Sequence, residues 1–513
     1  MGTYKLIIRN AFSNWMSTLV TSFIGFFLMP FLVHRLGDAL YGIWVLIIAL
    51  TGYGVLLDFG VRSSIIKYTS QYNATSDRTR LNSIFNTSLI FYSATGLVLI
   101  LVASFFVPFL PRFFNIPSQF VHDARVAFMV VMVNLALKFP CGVFEGFLCG
   151  IQRYDVTNGV TIFTAALKAI AILIFLKSGY GLITLSLIMM TTDIAADCLM
   201  LLFCLRHFPY LTLSLQVIDK EMFKSIYQFG VYSFIIIIAS KLMYESDAII
   251  IGASLSAQVI TLYAVANNLT RYLRQIAYGF GNVFNPVASE LDAKQESDKI
   301  EGLLISGTKY SLVVILPIAA ALVILGEEFI SLWMGSRYAE LTSRVVAILT
   351  ISQVVAMAQF SSGSILYGLN KHKYLAFVLL LESFVKLLLS LALIGPYGII
   401  GLAIATAIPE VIVYLVVLPR YISKTTGLCL LRYFREGFFP PLLSVVPFAC
   451  FIYFCKVTLG PFSWEGFLTT IVTGLLLYGA SSLVICFNGR QRNQIGGIFA
   501  RASIFRGSSA ERK

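Results

Sequence analysis

Four lysines lie inside stretches that are otherwise apolar enough to cross a membrane: Lys138, Lys168, Lys241 and Lys386. A charge at the centre of a bilayer costs about 2.5–3.5 kcal/mol on insertion scales, so such a side chain faces a cavity or a partner charge. Lysine is a compact point charge and a good ligand for phosphate oxygens where water is scarce. These four are therefore the candidate binding residues, for an anion. The competing expectation is neutralisation by a nearby carboxylate. Glu382 sits one turn before Lys386 and Glu245 one turn after Lys241, at the i,i+4 spacing that brings side chains together on a helix.

Carboxylates within or at the ends of such stretches are Asp58, Glu145, Asp193, Asp197, Glu245, Asp247, Glu382 and Glu410. Asp193 and Asp197 share a helix face. Two like charges so close favour keeping one of them protonated, which suits a proton carrier. Glu145, Asp193, Asp197 and Glu382 are the candidates for a coupling ion. For Asp193 the alternative is a structural pairing with Lys138 or Lys168.

Other chemistry lacks material. There is no GxxxxGK[ST], GxSxG or HExxH. The four histidines, His34, His122, His207 and His372, fall in or beside expected loops and apart from one another, so neither a metal site nor a Ser-His-Asp triad is expected. No catalytic residue and no cofactor is expected, and the chain is not read as an enzyme. Any energy would come from an ion gradient or downstream pull. The eight cysteines show no CxxC and no paired spacing, so free thiols are expected.

The elements that position the lysines follow from composition. The 513 residues are 58% hydrophobic and 12% charged, with mean hydropathy +0.84, where a soluble protein carries about 25% charged residues. An all-α, multi-pass membrane protein is expected. A span needs about 20 mostly apolar residues, and about 14 candidates appear: 11–33, 40–58, 84–108, 122–149, 158–177, 181–205, 226–252, 257–286, 303–325, 343–367, 374–394, 398–418, 437–459 and 464–487. The first is too long for a signal-peptide core and has no small-residue cleavage site, so it reads as a retained helix. Most of the 38 lysines and arginines fall on the termini and one alternating set of connections. The opposite set holds only Arg35, Arg112, Arg125, Lys177, Arg337, Arg344 and Lys456. That asymmetry makes the rich side cytoplasmic, with both termini inside. It also accounts for the net charge of +13 without nucleic acid as a partner. The basic, partly apolar connection 59–83 suits a helix on the anionic inner leaflet, or a plain loop.

The chain repeats itself. Gly150-Ile151-Gln152-Arg153 leads into an apolar helix bearing Lys168; Gly368-Leu369-Asn370-Lys371 leads into one bearing Lys386. Both glycines and both lysines are 218 residues apart, and each helix is followed by Tyr-Gly, at Tyr180 and Tyr397. Spans 1–6 thus match spans 7–12, a duplication of the kind on which transporters are commonly built. The expected divisions are 1–205, an inter-lobe connection 206–225, 226–420, a final pair of spans in 421–489 and a basic tail 490–513. Gly142, Gly146 and Gly150 form small-xxx-small twice, which reads as close helix packing. Tyr41 and Trp44, near a helix end, are candidates for stacking on sugar rings.

Several motifs carry a family resemblance: Leu36-Gly37-Asp38-Ala39-Leu40-Tyr41-Gly42-Ile43-Trp44, Asp58-Phe59-Gly60-Val61-Arg62, Gly146-Phe147-Leu148-Cys149-Gly150-Ile151-Gln152-Arg153 and Pro396-Tyr397-Gly398-Ile399-Ile400-Gly401-Leu402-Ala403. In order and spacing the chain resembles the multidrug/oligosaccharidyl-lipid/polysaccharide exporter superfamily, and within it the Wzx-type polysaccharide and O-antigen flippases. The resemblance covers most of residues 1–420. It implies two six-helix lobes packed as a V, with two further C-terminal helices, and alternating access. It implies export of a polyprenyl-diphosphate-linked oligosaccharide from the inner to the outer leaflet of the cell (inner) membrane, for surface polysaccharide synthesis. The implied partners are that lipid-linked substrate, membrane lipids, and polysaccharide polymerase or assembly proteins. A multidrug exporter of the same superfamily and a peptidoglycan lipid-precursor flippase are the alternatives. A drug-cation site lined by four lysines would repel its ligand. A membrane polymerase or ligase would need an external loop longer than 107–121 or 326–342.

Overall fold

The computed structural model describes residues 3–212, 234–281, 284–369, 371–460 and 462–487, with 489 and 492. Among the described residues every regular element is helical. In chain order these include α1 (Thr3–Gly54), α2 (Val61–Ala74), α3 (Arg78–Phe106), α4 (Val121–Gly150), α5 (Tyr154–Lys177), α6 (Leu182–His207), α7 (Phe234–Tyr244), α8 (Ser246–Ser254), α9 (Ala257–Gly281), α10 (Phe284–Ala293), α11 (Ser297–Ile324), α12 (Gly326–Met334), α13 (Ser336–Ala358), α14 (Phe360–Gly368), α15 (His372–Ile412), α16 (Leu418–Thr426), α17 (Phe439–Leu459) and α18 (Trp464–Cys486). In a bilayer each backbone polar group must be satisfied within the chain, and a helix does this segment by segment.

Ten helices among the described residues are long and apolar enough to cross a membrane. Two of them each carry two expected spans, joined at a glycine with non-helical backbone angles. α1 holds both of the first two expected spans and breaks only at Gly37 (φ 76°, ψ 164°). α15 holds the expected spans 374–394 and 398–418 and breaks at Gly398 (φ 58°, ψ −140°). The Tyr397-Gly398 turn is therefore a kink inside a helix, whereas Tyr180-Gly181 is a true break between α5 and α6. Both kink conformations are essentially open to glycine alone. The basic connection after residue 59 forms α2, which buries Val61, Ile65 and Tyr72. Most of the expected inter-lobe connection 206–225 lies outside the described residues.

The chain divides into two compact units: Met1–Val265 with Ala376–Thr406, and Ala266–Leu375 with Ala407–Lys513. In the first, α4 packs along α3 and α6, α5 along α1 and α6, and α2 along α4. The α2–α4 contact shows what the small residues do. A Cβ on Gly146 would lie 2.9 Å from Ile65 Cγ2, and one on Gly150 would lie 2.6 Å from Thr69 Cβ. Gly142 has open space instead, so two of the three expected packing glycines make a close approach. The second unit has apolar clusters at Leu273, Ala277, Ile315, Ala319 and Met357, and at Leu325, Phe448, Ile452, Phe467 and Tyr478. The fully buried Tyr433 shares its hydroxyl with Thr308 at 2.7 Å, Gln359 Oε1 at 2.8 Å and Ser362 at 3.3 Å.

Candidate functional site

Asp193, on α6, is the centre of the charged cluster in the first unit. Its Oδ1 lies 2.9 Å from Lys168 Nζ on α5. Its Oδ2 lies 3.1 Å from Lys138 Nζ on α4 and accepts from Asn134 Nδ2 at 2.9 Å. Asn134 and Lys138 are one helical turn apart on α4, so they meet the carboxylate from one face. Asp193 is buried, while the Lys138 and Lys168 side chains keep 44% and 32% of their surface. One carboxylate thus serves two ammonium groups, and while Asp197 is protonated the pair of lysines retains a net positive charge with an open side. The structural partnering expected for Asp193 is what forms. Asp197, one turn on, is half-buried, and among the described residues it has no hydrogen bond or ion pair.

The other two lysines behave differently. Lys386, on α15, is fully buried. Its Nζ lies 2.8 Å from Asp247 Oδ1 and 3.4 Å from Ser246 Oγ on α8, and it donates to the carbonyl of Met243. Asp247 Oδ2 accepts from Tyr263 at 2.8 Å on α9. Sequence spacing pointed to Glu382 as the partner of Lys386; the structure supplies Asp247, from a segment remote in sequence. The reason is the interruption between α7 and α8 at Glu245, whose N–H still bonds the Lys241 carbonyl at 2.9 Å while the Met243 carbonyl is left to accept from Lys386. That break puts a carbonyl, a hydroxyl and a carboxylate within reach of one ammonium. Lys241 pairs with Glu245 as its spacing suggested, at 3.5 Å. Tyr53 donates to the Lys241 carbonyl at 3.3 Å, and a Cβ on Gly52 would lie 3.2 Å from Lys241 Nζ. Glu145 bonds Arg62 of α2 at 2.6 Å, and Asp58 accepts from Tyr92 and from the Arg62 backbone N–H. Tyr41 is buried at 6% exposure, which leaves it little face for stacking on a sugar.

The family of polysaccharide biosynthesis proteins matches residues 32–343. The chain belongs to this family. It is 23% identical to an uncharacterized membrane protein, EpsK, of Bacillus subtilis (strain 168), over 95% of this chain and 96% of that one. It is 22% identical to a putative O-antigen transporter of Shigella flexneri, over 78% of this chain and 94% of that one. In fold it is similar to the lipid II flippase MurJ in an inward closed conformation, with TM-score 0.72, 16% identity, and coverage of 93% of this chain and 98% of that one. An inward-facing multidrug resistance MATE family transporter of the MOP superfamily gives TM-score 0.63 at 15% identity, over 80% and 95%. The likeness shows an all-helical fold shared with these two structures.

Within this polysaccharide biosynthesis protein the repeat is visible in detail. α5 begins at Tyr154 and α15 at His372, again 218 residues apart, so Lys168 and Lys386 hold the same place in their helices. The turns that precede them make matching bonds: Ile151 N–H to Phe147 O and Arg153 N–H to Leu148 O, then Leu369 N–H to Ile365 O and Lys371 N–H to Leu366 O. Gly368 is as constrained as Gly150, since a Cβ there would lie 2.6 Å from Asn285 O. The repeat also exposes a pair that composition alone did not single out. Glu410 follows Asp193 by 217 residues, the Tyr180–Tyr397 offset, and Ser352 follows Asn134 by 218. Ser352 donates to Glu410 at 2.7 Å, as Asn134 does to Asp193. Counting offsets on both sides of the Tyr-Gly would have found this.

Proposed function

We propose that this chain is a flippase that carries polyprenyl-diphosphate-linked oligosaccharides from the inner to the outer leaflet for cell-surface polysaccharide synthesis, by alternating access. The observation that carries the reading is the Lys138–Asp193–Lys168 cluster: two cations, one carboxylate, part of their surface open, inside apolar helices. A diphosphate is doubly suited to such a place, because each ammonium offsets part of the cost of removing phosphate oxygens from water. Relatives named as a putative O-antigen transporter and a probable low-salt glycan biosynthesis flippase support the substrate class. Lys241, with its carboxylate at the longer distance of 3.5 Å, is a secondary substrate cation. Lys386 holds the α15 helix in place and enters the substrate path only if it leaves Asp247. Asp197 is the candidate for a coupling proton. The reading includes 14 crossings arranged as two six-helix lobes and a C-terminal pair, both termini cytoplasmic, in the inner membrane, without catalysis.

The test is binding of a purified polyprenyl-diphosphate-linked oligosaccharide to the reconstituted protein. Replacing Lys138 or Lys168 by alanine should weaken it about tenfold each, since a hydrogen bond to a charged group contributes on the order of 1.5–3 kcal/mol. Undiminished binding by the Lys138→Ala/Lys168→Ala double variant, folded and at normal membrane level, would remove the substrate role from this cluster.

A further inference from the structure

The N-terminal half of α1 is two-faced. Phe12, Leu19, Phe23 and Phe27 stand exposed on one side, as lipid contact requires. Asn10, Asn14, Thr18 and Thr21 occupy the other at helical spacing. α5, which packs along α1, repeats the pattern. Phe163, Ile170 and Ile174 are exposed on its apolar side, whereas Thr157, Thr161, Thr164 and Lys168 share one face, 11 residues or about 16 Å long. The two polar faces meet at the start of α5, where Asn158 donates to Ser13 at 3.1 Å and to Asn14 at 2.6 Å. Asn10 donates to Gln152 at 3.0 Å just below.

Part of this stripe is ordinary helix-to-helix bonding. That account stops at Thr18 and Thr161, which are exposed. Lipid offers their polar groups no partner, so at membrane depth they border water or a polar ligand. The Thr161 hydroxyl gives its proton to the Thr157 carbonyl at 2.9 Å, which leaves its oxygen free to accept. Amides and hydroxyls without charge, spaced along two packed helices and leading to a lysine pair, match a chain of sugar hydroxyls attached to a diphosphate.

We infer that the polar faces of α1 and α5 form a saccharide-binding track, along which the glycan of the substrate lies while its diphosphate meets Lys168 and Lys138. This rests on the flippase reading and adds the location of the sugar. The experiment compares two probes on the full-length protein in proteoliposomes: polyprenyl diphosphate alone, and the same lipid bearing its oligosaccharide. The Thr18→Val/Thr161→Val variant keeps side-chain shape and removes two exposed hydroxyls. Its affinity for the glycosylated lipid should fall about thirtyfold, one ordinary hydrogen bond for each hydroxyl, with affinity for the bare lipid unchanged; the bare lipid also reports that the variant is folded. The Lys138→Ala/Lys168→Ala variant should lose both probes alike. Equal affinity of wild type for the two probes, an unaltered preference in the threonine variant, or equal loss of both probes in it would overturn the track while leaving the diphosphate site standing. Failure of the wild type to bind either probe would overturn the flippase reading and the track with it.

Discussion

Asp247→Ala should destabilise the protein more than any other single change among its charged residues. The side chain neutralises Lys386, which has no exposed surface, at 2.8 Å, and accepts the Tyr263 hydroxyl at 2.8 Å. Removing one partner of a buried ion pair costs on the order of 3–5 kcal/mol, because the remaining charge stays in a low-dielectric site. Losing the hydrogen bond that the Tyr263 hydroxyl donates to this carboxylate adds about 1–3 kcal/mol. The Met243 carbonyl and Ser246 hydroxyl keep part of the ammonium satisfied, which holds the total near the lower end, about 4 kcal/mol, or roughly a thousandfold in a folding equilibrium. Lys386→Met leaves Asp247 with Tyr263 and should cost less. The double variant Asp247→Leu/Lys386→Met removes both charges and should recover most of the loss. Thermal aggregation of detergent-solubilised protein, followed by size-exclusion fluorescence, ranks the three. Transport by the double variant then separates a pin from a substrate cation: a pin allows near-normal export once both charges are gone. A stable Asp247→Ala protein would refute the reasoning, as would a double variant no better than the single one.

Gly37→Ala and Gly398→Ala should each lower thermal stability by about 1–3 kcal/mol, because both kinks use backbone angles that only glycine adopts freely; melting curves check this. Gly150→Ala and Gly368→Ala should cost a similar amount by overpacking against Thr69 and Asn285, and an unchanged melting temperature would contradict the close approach. An Asp197→Asn protein should retain substrate binding and lose gradient-dependent transport, measured in proteoliposomes with and without an imposed pH gradient; full gradient-dependent transport would exclude Asp197 as the carrier. In a Cys-less background, cysteine at Ser336 should react with an impermeant maleimide in intact cells and cysteine at Lys424 should not; labelling at Lys424 would reverse the assigned topology.

The in-span lysines and the glycine-led repeats were legible because each breaks a simple rule. A charge in an apolar run and a glycine at a fixed offset both stand out without coordinates. The Lys241–Glu245 pair was legible too, since i,i+4 is a local spacing. Lys386 was not, because its partner comes from α8, and nothing in the sequence near Lys386 reports that the chain breaks after Tyr244. The sharpness of the junctions at Gly37 and Gly398 was less legible for a related reason. Glycine and its neighbours give the same signal whether the chain turns or only bends. The polar faces of α1 and α5 were hidden by threonine, which counts as near-neutral in hydropathy and bonds to its own helix.

The repeat gives both halves of the chain the same starting inventory: a turn after glycine, a lysine in the fifteenth position of the next helix, a buried acid beyond the Tyr-Gly that follows, and a polar donor to that acid. What differs is how the lysine is used. In the first copy Lys168 reaches its own repeat's acid, Asp193, and Lys138 joins from α4, so a shared carboxylate leaves surplus positive charge with an open side. The position matching Lys138 in the second copy is Ala356, buried and uncharged, and Lys386 is taken up by Asp247. A lysine bound one-to-one with an acid and closed from solvent presents no net charge to a ligand, whereas two lysines on one acid do. On this physical ground the first copy, rather than both equally, is the place for an anionic substrate. Introducing a lysine at Ala356 would not recreate the arrangement, because the lysine at 386 would still be held by Asp247.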